Sequence, residues 1–435
     1  MSSASSESAG SAAAKQEKPK SLWERLLSSM PVGLTVIATV LAGLSSSEMT
    51  QAQFHRSLAA QHQSKASDEW NFFQAKKLRS QNMELQAVML RAASDAGPVD
   101  EKALRFTLKR LAEELAAAEK DAKRLPELIG RLSKPPNGAL QSQAEALINS
   151  LAALHAELEK LRMAVDTLFG QAVSTKDASE AQSPASAFAL LSAKDRKAQL
   201  PTVTDRKLTQ GVVNSSEVQR IEQAYNDIAA RKLDEDTVND MRHLSEEAIK
   251  IVYTNALYNS RNFEQECDKF RSQFEAIDRL VEKQLEIAGE FERDGQVFMQ
   301  SLPEAAEQDS DWKEVRTAAA SLSRSQRAAS ENSHRLYRDY KSASDSYTAR
   351  RYDKEANYNR ATATVAEILV RKSGYESDRH RDRSKFFFYA MLLAQGGVTI
   401  STLALAIKRG SLLWGVASLA GLLAISFAAY VYTQM

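Results

Sequence analysis

The chain has 435 residues with 57 basic and 56 acidic side chains, a formal net charge of +1, so there is no global electrostatic drive toward nucleic acid. Gly (16) and Pro (9) are scarce beside Ala, Glu, Gln, Lys, Arg and Leu, a balance that favours long helices, since Gly and Pro cost about 1 and 3 kcal/mol in a helix interior. The single cysteine, Cys267, excludes an intramolecular disulfide framework and a cysteine-based zinc site.

Residues 1–22 are rich in Ser, Ala, Gly and Lys and are expected to be a disordered leader. A first transmembrane helix is expected over 23–47: Leu26 to Ser47 carries no charge, and its strongly apolar centre runs from Met30 to Leu44. The long polar leader and the lack of a clean small-residue cleavage site argue for an anchor rather than a cleaved signal peptide. Residues 48–170 read as a helical region containing a coiled-coil segment. Leu104, Leu108, Leu111 and Leu115 mark one helix, and Pro135-Pro136-Asn137-Gly138 is a firm break. Leu147, Leu151, Leu154, Leu158, Leu161, Val165 and Leu168 then repeat in alternating steps of four and three, the period of a coiled-coil seam.

The pattern lapses over 171–215, where Pro184, Pro201 and Gly211 mark a linker. Residues 216–385 are expected to form a long antiparallel coiled-coil hairpin. Its first stripe runs from Ile249 through Phe263, Cys267, Phe270 and Phe274 to Phe291, and its second from Leu322 through Tyr340, Tyr347, Arg351, Lys354 and Tyr358 to Ile368. No proline follows Pro303, and only Gly374 could loosen the second arm. Residues 386–435 read as a transmembrane hairpin: Phe386 to Ile407 and Gly410 to Met435 are uncharged and are separated by Lys408 and Arg409. Ala420, Ala424 and Ala428 recur every fourth position, which lets a neighbouring helix come close. The first helix favours an inside N-terminus and an outside middle region, whereas the basic run before Phe386 argues the reverse.

Chemistry is sparse. No phosphate-binding glycine loop and no nucleophile elbow occur. His55, His62, His155, His243, His334 and His380 lack metal-site spacing and read as surface residues. Cys267 falls on the apolar stripe and reads as a small buried hydrophobe. No catalytic residue, cofactor site or metal site is expected, and the chain is not expected to be an enzyme. Two features stand out as contact sites. Arg379, Arg381, Arg383 and Lys385 form a basic collar placed to meet anionic lipid. In Asp68–Lys77, Trp70 and Phe73 share a helix face with Ala66 and are expected to pack inward, leaving Phe72 for a partner.

The run SSSEMTQAQFHRSLAAQHQSKASDEWNFFQAKKLR (45–79), directly after the first apolar helix, resembles uncharacterised bacterial multi-pass membrane proteins classed under a domain of unknown function. The W-x-F/Y-F/Y-Q-A-K segment is matched by Trp70, Phe72, Phe73, Gln74, Ala75 and Lys76, and residues 376–406 resemble the same kind of protein. The resemblance implies a bacterial, three-helix membrane topology and supplies no catalytic residue. The resulting expectation is an all-α protein with a helical hairpin or coiled-coil stalk and three transmembrane helices. It would act as a scaffold or tether in a bacterial inner membrane, or alternatively as a sensor or regulatory subunit that transmits helix motion. Its partners would be the lipid bilayer and either further copies of itself or another membrane protein, with no nucleic acid.

Overall fold

The computed structural model describes residues 22–92, 101–132, 138–170, 200, 204–232, 241–303, 310–407 and 411–434. Among these residues there are helices and their connections but no strand, so the all-α expectation holds. The long helices are α1 (Leu22–Ala92), α2 (Glu101–Gly130), α3 (Gly138–Gly170), α4 (Ser215–Ala229), α5 (Glu246–Ser301), α6 (Ser310–Ala406) and α7 (Ser411–Gln434). The leader (save Leu22), the break at 135–137, most of the 171–215 stretch and the Lys408-Arg409 turn lie outside the described residues, as do the side chains of Leu104, Leu168 and Phe270.

Two helices run across the expected segment boundaries at 47/48 and 385/386. The 71 residues of α1 are unbroken where the apolar stretch gives way to the polar one. The 97 residues of α6 continue through Gly374 into the apolar 386–406 stretch. The reason is local: no proline falls between residues 32 and 92 or between 311 and 406, and an isolated glycine costs only about 1 kcal/mol in a helix.

The chain divides into two units, one of residues 1–64, 223–246 and 366–435 and the other of residues 65–222 and 247–365. In the second unit the core joins four helices. Leu108, Leu111, Leu115 and Leu125 of α2 and Leu147, Leu154, Leu158 and Leu161 of α3 are buried together with Phe291 and Phe298 of α5 and Leu322, Leu336 and Tyr340 of α6. The α5–α6 pair is antiparallel. Gln326 Nε2 donates to the Phe291 carbonyl at 2.9 Å, Tyr340 Oη to the Phe274 carbonyl at 3.2 Å, and Phe263 packs on Tyr358. The spaced apolar positions of α3 and α5 account for this core, since each unpaired helix would leave a leucine or aromatic stripe in water.

Residues 204–214, at the end of the expected linker, are clamped onto α5. Asn255 Nδ2 donates to the carbonyls of Leu208 (3.0 Å) and Gln210 (2.8 Å). Asn259 accepts from the Arg206 amide and donates to its carbonyl, at 2.9 and 2.8 Å. Gly211 takes a φ of 96° in the turn, a conformation that favours glycine.

In the first unit the three apolar segments meet. Ala38 and Leu41 of α1, Phe387, Ala390 and Ala394 of α6, and Ala424 and Val431 of α7 form one buried cluster. Their small side chains permit close approach: a Cβ on Gly421 would lie 2.6 Å from Leu34 Cδ2, and one on Gly397 would lie 3.2 Å from Leu34 Cδ1. The buried positions of α7 are Ala417, Gly421, Ala424 and Val431, with Ala428 half-buried. Of the expected small-residue stripe, Ala424 is therefore central and Ala420 sits at its edge. Helices α1, α6 and α7 are each long and apolar enough to cross a membrane.

Candidate functional site

Burial along α1 follows steps of four and three that its hydrophobicity does not reveal. In the first unit the inward positions are Leu34, Ala38, Leu41, Ser45, Glu48, Ala52, His55, Ala59 and His62. In the second they are Ala66, Glu69, Phe73, Lys76, Ser80, Met83, Ala87 and Leu90. A 3.5-residue period keeps one helix face turned to a partner. Here that face is mostly small, polar or charged, and α6 is a partner in both units, joined by α7 at Leu34 and by α5 near Glu69.

At the edge of the apolar segments the pairing is antiparallel and rests on side-chain to backbone bonds. Ser45 Oγ donates to the Ser384 carbonyl at 2.9 Å, and Ser384 Oγ donates to the Ser45 carbonyl at 2.8 Å. One turn along, His380 Nδ1 lies 2.6 Å from Glu48 Oε2. Its ring is stacked on His55, with centroids 5.4 Å apart and planes 10° apart. A further turn on, Ser377 Oγ donates to the Ala52 carbonyl at 2.8 Å. Small hydroxyls bring the two backbones close and bond the second lone pair of carbonyls that already accept within their own helices.

The histidines thus differ from the surface reading. His62 is buried, and His55 and His380 are half-buried and stacked between the two helices. Seven-residue spacing places His55 and His62 on one face, and that face is the inward one. Beside them, burial pushes the Glu376 carboxyl up, but Lys372 at 2.8 Å together with Arg379 and His55 holds it below the usual range.

The basic collar is largely self-neutralised along its own helix. Arg379 lies 3.9 Å from Glu376, Arg381 3.1 Å from Asp378, and Lys385 2.8 Å from Asp382. Arg383 is half-buried, and its Nε has no hydrogen-bond partner.

In the second unit, Trp70 and Phe73 are half-buried and meet edge to face, with ring centroids 5.6 Å apart. Phe72 is 56% exposed. Both lysines of the segment pair with carboxylates of α6, and Lys76 has the more buried partner. Lys76 Nζ sits 3.0 Å from Glu355, whose side chain is only 4% exposed, and Lys77 pairs with Asp353. Arg351 completes the network, 2.6 Å from Glu355 and 2.8 Å from Asp268. Next to it, burial pushes the Cys267 thiol up to about 12, only partly offset by Arg351. Such a thiol is a packing group and not a nucleophile. Among the described residues no group of His, Cys, Asp and Glu side chains is arranged to hold a metal ion.

A family model described as "Domain of unknown function (DUF4337)" matches residues 27–168, about a third of the chain. The match takes in the first apolar segment and the 45–79 run, and it ends before 376–406. No curated protein and no solved structure matches.

Proposed function

We propose that the chain is a bacterial multi-pass membrane protein that serves as a non-catalytic scaffold or tether. Its three apolar helices would lie in the inner membrane and its charged helices would offer a docking platform beside it. The observation that carries this reading is the continuity of α1 and α6, each one unbroken helix from an apolar stretch into a charged, closely paired one. Beyond its apolar stretch each of these helices offers a partner about 1.5 Å of charged surface per residue. The exposed Phe72 is one surface aromatic for a partner, alongside the more exposed Phe54 and Phe106, and self-association through the helical faces is the favoured mode of assembly.

A second reading, a sensor or regulatory subunit, has one specific support. The α1–α6 seam at the apolar edge is built from Ser45, Glu48, His55, His380 and Ser384 and not from interlocking leucines. Small polar seams have less packing energy to lose on sliding than leucine seams do. In that role motion of the seam would be passed to a partner protein.

The test is alkaline extraction of membranes, followed by size exclusion with light scattering of the detergent-solubilised full chain. Retention in the membrane and a discrete oligomer are expected. Release by alkali would end the membrane reading, and a strictly monomeric particle would end the self-assembling scaffold.

A further inference from the structure

A cleft of about 310 Å³ opens on one side of the α1–α6 seam in the first unit. Met49, Ala52 and Arg56 of α1 line it, together with Ser377, Asp378 and Arg381 of α6. Met49 follows the last apolar residue of its segment, Leu44, by five positions, and Arg381 precedes Phe386 by five. Arg381 therefore stands about 7 Å beyond its apolar stretch, at the depth of the headgroup layer, which adds roughly 5–8 Å to each face of the hydrocarbon core. Arg56 follows Leu44 by twelve positions, about 18 Å along α1, and meets that layer only by reaching back with its side chain.

The two arginines lean toward each other. Helical side chains tilt toward the N-terminus of their own helix. The apolar stretch is N-terminal in α1 and C-terminal in α6, so Arg56 leans back toward it and Arg381 leans away from it, into the space between. Arg56 has no carboxylate partner among the described residues, and Arg381 has only the exposed Asp378 at 3.1 Å, a pair worth little against a doubly bonded phosphate.

Below the cleft the same face of α6 continues with Lys385, Phe388 and Leu392, in steps of four, three and four from Arg381. Phe388 and Leu392 are 45% and 46% exposed. In order from the cleft come a pair of guanidiniums, an ammonium paired with Asp382, and an apolar strip.

We propose that this cleft seats the phosphate of an anionic phospholipid between Arg56 and Arg381, with an acyl chain laid over Phe388 and Leu392. This rests on the membrane reading given above and replaces a diffuse basic collar with one built site.

The test uses the full chain purified in detergent. Native mass spectrometry follows titration with phosphatidylglycerol or with phosphatidylcholine of the same acyl chains. One phosphatidylglycerol is expected to bind about tenfold more tightly than phosphatidylcholine. Replacing both Arg56→Gln and Arg381→Gln should remove that preference, with helix content and particle size unchanged. The double variant Arg379→Gln with Arg383→Gln, off the cleft, should keep it. Equal loss in both double variants would show a diffuse collar and overturn the site. Displacement of the lipid by millimolar inorganic phosphate would make the ligand a free anion and overturn the lipid assignment. No preference in the unaltered chain would overturn both. A chain that stays soluble without detergent would instead defeat the membrane reading, whatever its lipid preference.

Discussion

His380 Nδ1 lies 2.6 Å from Glu48 Oε2, and this single contact ties α6 to α1 between two hydroxyl–carbonyl pairs. Both side chains are largely shielded, at 15% and 19% exposure. Replacing Glu48→Ala leaves a shielded imidazole nitrogen without its acceptor, which costs about 1–3 kcal/mol. The detergent-solubilised variant should melt at a lower temperature, and Glu48→Gln, which keeps an acceptor oxygen, should recover part of the loss. An unchanged melting temperature in Glu48→Ala would show that the contact contributes nothing.

Close helix approach in the apolar cluster depends on Gly421. A Cβ there would lie 2.6 Å from Leu34 Cδ2, in a side chain that is itself buried. Gly421→Ala is expected to destabilise by about 1 kcal/mol and Gly421→Ile by about 1–3 kcal/mol. Leu34→Ala in the same chain should relieve the strain of Gly421→Ala, giving a non-additive double-mutant cycle in thermal stability. Simple additivity would contradict the packing.

Gly295 in α5 provides the parallel case in the second unit. Helix propensity alone says Gly295→Ala should stabilise by about 1 kcal/mol. A Cβ at that position would meet the buried Gln326 amide, which donates to the Phe291 carbonyl at 2.9 Å. Displacing the amide breaks that bond, so a net loss of about 1–2 kcal/mol is expected in denaturant unfolding. A gain in stability would show that Gln326 moves aside freely.

Much of the second unit was legible because its seams are apolar. Leu147 to Val165 and Ile249 to Phe291 announce themselves by steps of four and three, and those positions with described side chains are buried or half-buried. The second α6 stripe was only partly legible. Lys354 points to water and Glu355 beside it is buried, because α6 packs on more than one neighbour: Tyr340 and Tyr347 face α5 while Ser342 accepts from Arg91 of α1. Of the α1 seam, hydrophobicity marks only scattered positions such as Ala66 and Phe73. Ala38, Ser45, Ala52, Ser80 and Ala87 carry almost no hydropathic signal, and Glu48, His55, His62 and Lys76 carry the opposite one. Their period appears only when burial is known. In Asp68–Lys77 the aromatics are the strongest local signal, yet Lys76 makes the more buried contact, through a Glu355 that lies 279 positions away and that no local pattern could pair with it.

Cys267 offers a chemical readout of folding. With its thiol pushed up to about 12 by burial, roughly one molecule in ten thousand carries a thiolate at pH 8. The folded chain should resist alkylation by iodoacetamide there, and full labelling should appear together with the loss of helix in denaturant. Rapid labelling of the folded chain would contradict a closed α5–α6 core around Cys267.

The pairing of α1 with α6 at the edge of the apolar segments is tested most directly by a cross-link. Ser45 Oγ and Ser384 Oγ are 3.2 Å apart, close enough for a disulfide between introduced cysteines. Under mild oxidation of membranes, the Ser45→Cys with Ser384→Cys chain should form an intrachain bridge, seen as a mobility shift reversed by reductant. Moving the first cysteine to Ser46, which faces outward, should abolish the bridge. No bridge at 45–384, or an equal one at 46–384, would contradict the seam on which the account rests.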